Sequence, residues 1–278
     1  MMKKIISGLF LSMMCLGLFA MGSAEDGAKL SGTVATDGST SMQKVIMSLI
    51  ESFKEKAPGV NVTYNPTGSG TGIENAAAGT ADIGLASRNL KDGEIAKGLK
   101  GTVLALDGIA MVVHKDNNVD SITLEQLADI YIGKITNWKQ LGGADLAISC
   151  VGREAGSGTR DAFDSITNTK GKQKLASELV STGAVIAAVA NNANAIGYAS
   201  LSAVEGQTGV KALKINGVAP TEATVQDGSY KLQRPFNLVM KTDKLPSEAT
   251  KAFFQYITSG TAEVNNIITK AGAVPVKK

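Results

Sequence analysis

Histidine is almost missing from this chain: 278 residues contain one, His114. A serine hydrolase takes its base from a histidine beside the nucleophile. A zinc site draws on several His and Cys side chains. One histidine, closing the apolar run "MVVH", fits neither and reads as a surface or hinge residue. Cysteine is nearly as scarce, with only Cys15 and Cys150. Cys15 falls in an apolar N-terminal run. If that run is removed, Cys150 is left alone and forms no internal disulfide. Its setting, "LAISCV", is that of a buried strand residue. Aromatic residues make up 5% of the chain, and Trp138 is the sole tryptophan. No clustered Asp/His set is visible, which counts against a secreted phosphatase. No repeat, heptad array or wall-sorting tail is present, which counts against a surface adhesin.

The first 24 residues read as an export signal. "MMKK" is positively charged, "IISGLFLSMMCLGLFAM" is apolar, and "GSA" offers small residues for cleavage before Glu25. A lipid anchor at Cys15 is the other processing route this run allows, although Met14 rather than a small residue precedes it. Loss of residues 1–24 removes Lys3 and Lys4 and leaves 26 basic and 25 acidic side chains, a charge of +1. That supplies no basic field for nucleic acid.

What the chain does have is glycine, 31 residues of it, and 44% hydrophobic residues, enough for one large core or two medium ones. "LSGTVATDGS" alternates like a strand. In the next segment Met42, Val45, Ile46, Leu49, Ile50 and Phe53 fall at helical spacing, and Pro58-Gly59 ends the helix. "VNVTYNP", an Ala-rich helix and "ADIGLAS" follow. This β-α-β-α-β order predicts an α/β layer with a mainly parallel sheet. A second α/β unit spans the middle of the chain. Apolar strands near Leu104–Val113 and Pro235–Met240 join the two units, as a two-lobed hinged protein requires. Residues 25–110 plus 236–278 are assigned to lobe 1 and residues 111–235 to lobe 2.

Three strand-to-helix turns share one composition: "DGSTSM" (Asp37–Met42), "TGSGTG" (Thr67–Gly72) and "GREAGSGTR" (Gly152–Arg160). Helix starts present N–H groups without intrahelical acceptors and carry partial positive charge. Glycine admits close backbone approach, and Ser/Thr hydroxyls add donors. Taken singly, each turn is ordinary helix capping; recurrence, together with Arg153, points to a tetrahedral oxyanion. A Walker loop is excluded, because Ile73 and Arg160 stand where Lys would be needed. The dinucleotide fingerprint is excluded by its glycine spacing.

At these residues the sequence resembles a known family, the phosphate-binding proteins of bacterial phosphate ABC transporters. The resemblance is carried by "GSTSMQ", "GSGTGI", "ADIGLASR", "GKITNWKQL", "GREAGSGTRDAF", "NAIGYASL" and "AGAVPV", over nearly the whole mature chain. It implies a two-lobed periplasmic-binding-protein fold of the venus-flytrap, type II kind, with two crossing strands at the hinge. It implies binding of inorganic phosphate outside the cytoplasmic membrane, docking on membrane permease subunits, a monomer, no cofactor and no catalysis. Carried over by position, the first turn supplies Ser39, Thr40 and Ser41, the second Ser69, and the third Arg153, Ser157, Gly158 and Thr159. In "GLASRNL", Ser87 and Arg88 stand where many members have an aspartate that accepts the proton of hydrogen phosphate. Arg88 is then either a second cation of the site or a surface residue pairing with Asp92. Asp37 and Glu154 are the carboxylates left to act as acceptor. Without that acceptor, sulfate, molybdate and tungstate remain alternative ligands, since a buried carboxylate is what would reject an unprotonated anion. Trp138, in the "TNWKQL" loop, is the natural fluorescent reporter.

Overall fold

The computed structural model describes residues 29–276; the expected signal segment and Cys15 lie outside the described residues. The chain opens as the spacing predicts. Strand β1 (Gly32–Gly38) leads through a 3-10 turn (Thr40–Met42) into α1 (Gln43–Lys56). β2 (Val60–Asn65), α2 (Ser69–Ala78), β3 (Ile83–Ala86) and a short α3 (Asp92–Ile95) follow. β2, β1 and β3 are parallel neighbours. α1 buries Val45, Ile46, Leu49 and Phe53, one face at 3.6-residue spacing.

β4 (Leu99–His114) is the axis of the molecule. Its first part belongs to lobe 1, and its last residues pair with lobe 2 strands. Lobe 2 continues with β5 (Ser121–Ile122), α4 (Leu124–Tyr131), β6 (Ser149–Arg153), α5 (Gly158–Thr167), β7 (Ser177–Leu179), α6 (Thr182–Ala190) and β8 (Ala195–Ser200). It closes with α7 (Leu201–Val204), β9 (Val210–Ala212), β10 (Lys214–Ile215) and α8 (Glu222–Gln226). β11 (Gln233–Lys241) then returns to lobe 1, followed by α9 (Glu248–Ile257), α10 (Ala262–Lys270) and β12 (Val274–Pro275). The strand order is β2-β1-β3-β11-β4-β8-β6-β7, with β9 and β12 also on β4. β11 runs antiparallel to β4 from Gln233↔Gly108 to Lys241↔Leu99, so the chain crosses between lobes on two paired strands.

Alternation along β4 gives each face of the lobe 2 sheet its own core. Ile109, Met111 and Val113 join a cluster with Tyr131, Trp138, Phe163 and Tyr198. Ala110 and Val112 face the other way, onto Val185 and Val189 of α6. Lobe 1 has its own core under α1, α9 and α10, with Phe53, Leu85, Phe236 and Phe253. Val274, in the segment assigned to lobe 1 from sequence, packs instead into the lobe 2 core. The reason is that β12 pairs with β4 at Ala105 and Leu106, at the crossover itself. Cys150 is buried, and burial pushes its thiol up to about 12.

Candidate functional site

The glycine-rich turns meet where the two lobes face each other. Thr40 and Ser41 come from the turn into α1, Ser69 begins α2, and Ser87 follows β3; all belong to lobe 1 and all are buried. Opposite them, lobe 2 offers Arg153 at the end of β6, and Gly158 and Thr159 at the start of α5. It also offers a residue that sequence reasoning missed: Thr182, the first residue of α6. The signal was present in "STGA" after β7, another strand-to-helix turn with hydroxyls, but it lacks the Gly-Ser-Gly spacing of the others.

Hydroxyls from the two lobes are in contact. Ser41 Oγ lies 2.9 Å from Thr159 Oγ1 and 3.0 Å from Thr182 Oγ1. Thr40 Oγ1 is 3.1 Å from Thr182 Oγ1 and accepts from the Thr182 amide at 3.2 Å. The Gly70 amide donates to the Gly156 carbonyl at 2.9 Å, a backbone bond across the cleft. Within lobe 1, Ser69 Oγ accepts from the Ser87 amide at 3.0 Å, and its hydroxyl sits 3.2 Å from that of Ser87. Gly158 is required by this approach: a Cβ there would collide with Ser69 Oγ and lie 2.7 Å from Ser87 Oγ. Ser157 Oγ caps α5 through the Arg160 amide. Ser39 is buried beside the cluster, its amide bonded to Leu85 O and its carbonyl accepting from the Tyr64 hydroxyl.

Arg153 is 2% exposed. Its backbone amide donates to the Tyr198 hydroxyl at 3.0 Å, tying the arginine to the aromatic core below, where Tyr198 stacks on Phe163. The guanidinium donates to both Glu154 oxygens at 2.9 Å and, through Nη1, to Thr182 Oγ1 at 3.2 Å. One edge is thus charge-balanced and the other faces the hydroxyl cluster.

Arg88 is placed differently from the expectation of a second cation in the cluster. Its guanidinium is taken by Glu94 on two nitrogens at 2.8 Å and by Asp161 at 2.9 Å. The partners are therefore Glu94 and Asp161 rather than Asp92. Burial pushes the Glu94 carboxyl up, but the Arg88 and Lys91 hydrogen bonds outweigh it and hold the group below its usual value. The second arginine that does reach the cluster, beside Arg153, is Arg234 of β11, whose Nη1 donates to Thr159 Oγ1 at 2.8 Å. "QRPFNL" gave no hint of this, since nothing local to Arg234 marks an anion site.

Neither carboxylate named as an acceptor points at the cluster. Asp37 accepts from Asn65, Thr67 and Asn75 and so shapes the loop before α2. Glu154 is spent on Arg153. The cluster is therefore rich in donors: guanidinium N–H, hydroxyls and helix-start amides, a set suited to a small oxyanion. Trp138 is 1% exposed in the lobe 2 core, its indole N–H bonded to Asn194 O, so it is no direct reporter of the cleft. His114 ends β4 with Asp116 as its neighbour. Among the described residues no group of three or more His, Cys, Asp or Glu could hold a metal, and no helix is long and apolar enough to cross a membrane.

Two α/β lobes on two paired crossing strands, with an interlobe cluster of donors, define a type II two-lobed binding protein. The PBP superfamily domain model matches residues 23–261. The chain belongs to that superfamily and, within it, to the family of PstS phosphate-binding proteins. It is 32% identical to the phosphate-binding protein PstS of Bacillus subtilis over 259 residues, 91% of this chain and 84% of that one. A substrate-binding protein of the phosphate ABC transporter type from Clostridium perfringens, solved with bound phosphate, shares 43% identity at a TM-score of 0.84, over 88% of this chain and all of that one. An ABC-type phosphate transport receptor from Vibrio cholerae shares 33% identity at a TM-score of 0.71, over 87% of this chain and all of that one.

Proposed function

We propose that this chain binds inorganic phosphate between its lobes and hands it to the permease of an ABC transporter outside the cytoplasmic membrane, as a monomer and without chemistry of its own. One observation carries the reading: Thr40, Ser41, Thr159, Thr182 and Arg153 converge from both lobes on one small buried region. A ligand contacting both lobes stabilises the closed arrangement, because the full donor set exists only there. The names of the relatives support phosphate as that ligand.

In this reading Thr40, Ser41, Ser69, Ser87, Arg153, Gly158 and Thr159 bind the anion, Ser157 acts by capping α5, and Ser39 holds the first turn. Arg88 acts at the lobe interface through its carboxylates. A second reading has a specific observation behind it. The donor-rich cluster, with Asp37 and Glu154 both engaged elsewhere, suits an unprotonated oxyanion such as sulfate, molybdate or tungstate. Calorimetry on anion-stripped protein decides between them. Tight one-to-one heat with phosphate and none with sulfate is the expected result. Preference for sulfate or molybdate would replace the ligand and keep the fold. Silence with every anion would remove the site.

A further inference from the structure

Arg234 and Asp107 are the most deeply buried ion pair of the described residues, at 3% and 1% exposure. They face each other in the β11–β4 register, on the two crossing strands. Arg234 Nη2 and Nε donate to Asp107 Oδ2 at 2.9 and 3.2 Å. The other carboxylate oxygen accepts from Ser200 Oγ at 2.7 Å. The charge is thus neutralised and its hydrogen bonds satisfied, which a buried pair needs. One nitrogen is left over from this arrangement. Nη1 donates to Thr159 Oγ1 of lobe 2 at 2.8 Å and to the Ser87 carbonyl of lobe 1 at 3.1 Å.

We propose that Arg234 is a positioning residue of the anion site: from the crossing strand it fixes the Thr159 hydroxyl as a proton donor toward the cleft. The proposal rests on the phosphate-binding reading above. A guanidinium only donates, whereas a hydroxyl has one proton and two acceptor sites. Once Thr159 Oγ1 accepts from Arg234, its own proton is free to point toward Ser41 Oγ, 2.9 Å away. An anion oxygen touching both Ser41 and Thr159 would meet that proton. Arg153 has the same relation to Thr182 on the far side of Ser41. The two guanidiniums bracket a hydroxyl chain, Thr182–Ser41–Thr159, and orient it from both ends. The Arg234 end also needs both lobes in place, because its Nη1 partners lie one on each.

The test is a double-mutant cycle on phosphate affinity by calorimetry. Asp107→Asn with Arg234→Gln removes the pair without stranding a buried charge, and Thr159→Val removes the hydroxyl. Each is expected to weaken phosphate binding about tenfold. The triple variant is expected to lose no more than about twofold beyond Thr159→Val alone, because Arg234 acts through that hydroxyl. A merely structural role predicts the product of the two losses, and that result would overturn the proposal, as would wild-type affinity in the paired variant. If the paired variant does not fold, Arg234→Lys keeps the charge beside Asp107 but cannot span to Thr159. It is expected to fold and to bind about tenfold more weakly, and unchanged affinity there would be equally fatal. Wild-type protein that binds no phosphate would overturn the functional reading itself; wild-type binding with additive losses overturns only the role of Arg234.

Discussion

At the scale of single residues, Arg153 is buried at the cleft and firmly held. It is held by Tyr198 on its amide, Glu154 on one edge, the Leu179 carbonyl on Nε at 3.0 Å and Thr182 on Nη1. A side chain so fixed loses little freedom when an anion arrives, so its hydrogen bond acts almost undiminished. Hydrogen bonds to charged groups contribute about 1.5–3 kcal/mol, and about 1.4 kcal/mol is a factor of ten in affinity. Arg153→Ala is therefore expected to weaken phosphate binding at least tenfold by calorimetry. Near-wild-type affinity would take Arg153 out of the site. Legibility differed sharply between residues of this kind. Arg153 stood four residues before Ser157 in a strand-to-helix turn, so its neighbours announced it. Arg234 and Asp107 meet only because β11 and β4 pair over a separation of 127 residues, and no local pattern encodes that. Arg88 misled for the converse reason. It sits in the right turn, but Glu94 and Asp161 claim its guanidinium, and one of these lies on a different lobe.

At the scale of elements, helix starts built the site and periodicity revealed most of them. The β-α-β-α-β order, the α1 face and the crossing strands were readable because burial imposes periods of 3.6 and 2 on the residues. The joining of β12 to the crossover was not, since two residues carry no period. The start of α5 is the element that sets how near the lobes come. Gly158 there faces Ser69 and Ser87 of lobe 1, with no room for a Cβ. Alanine at this position suits a helix better than glycine does, so lobe 2 itself should not suffer. Gly158→Ala is expected to leave the thermal midpoint of ligand-free protein at or above wild type. It should weaken phosphate binding at least tenfold and abolish the compaction expected in small-angle scattering if phosphate closes the lobes. Full compaction with wild-type affinity would show that the lobes do not close to the separation seen here.

At the scale of the whole molecule, two sets of ion pairs flank the cleft. On one side Asp161 of lobe 2 takes Arg88 and Lys91 of lobe 1, at 2.9 and 2.7 Å. On the other, Glu205 of lobe 2 takes Lys44 of α1 at 2.8 Å. Lobe 1 supplies the cations and lobe 2 the anions in both, so both exist only when the lobes meet. Their effect on affinity has a sign that separates two accounts. By the field of a nearby charge alone, removing a carboxylate beside an anion site should tighten anion binding. If the pairs instead favour the closed arrangement, removal lowers the competent fraction and weakens apparent affinity in proportion. Exposed pairs contribute about 0–1 kcal/mol each, so a loss of up to about fivefold is expected for Glu205→Gln, and a larger one for Asp161→Asn, whose partner Arg88 is buried. The Lys44–Glu205 pair is roughly half exposed on both partners, whereas the Arg88 side chain is 7% exposed. Salt screens the first more than the second, with a Debye length of about 10 Å at 0.1 M. The Glu205→Gln deficit should therefore shrink as salt rises, while that of Asp161→Asn persists. Tighter phosphate binding in both variants at low salt would mean that these carboxylates act through their field and that the flanking pairs do not hold the lobes together.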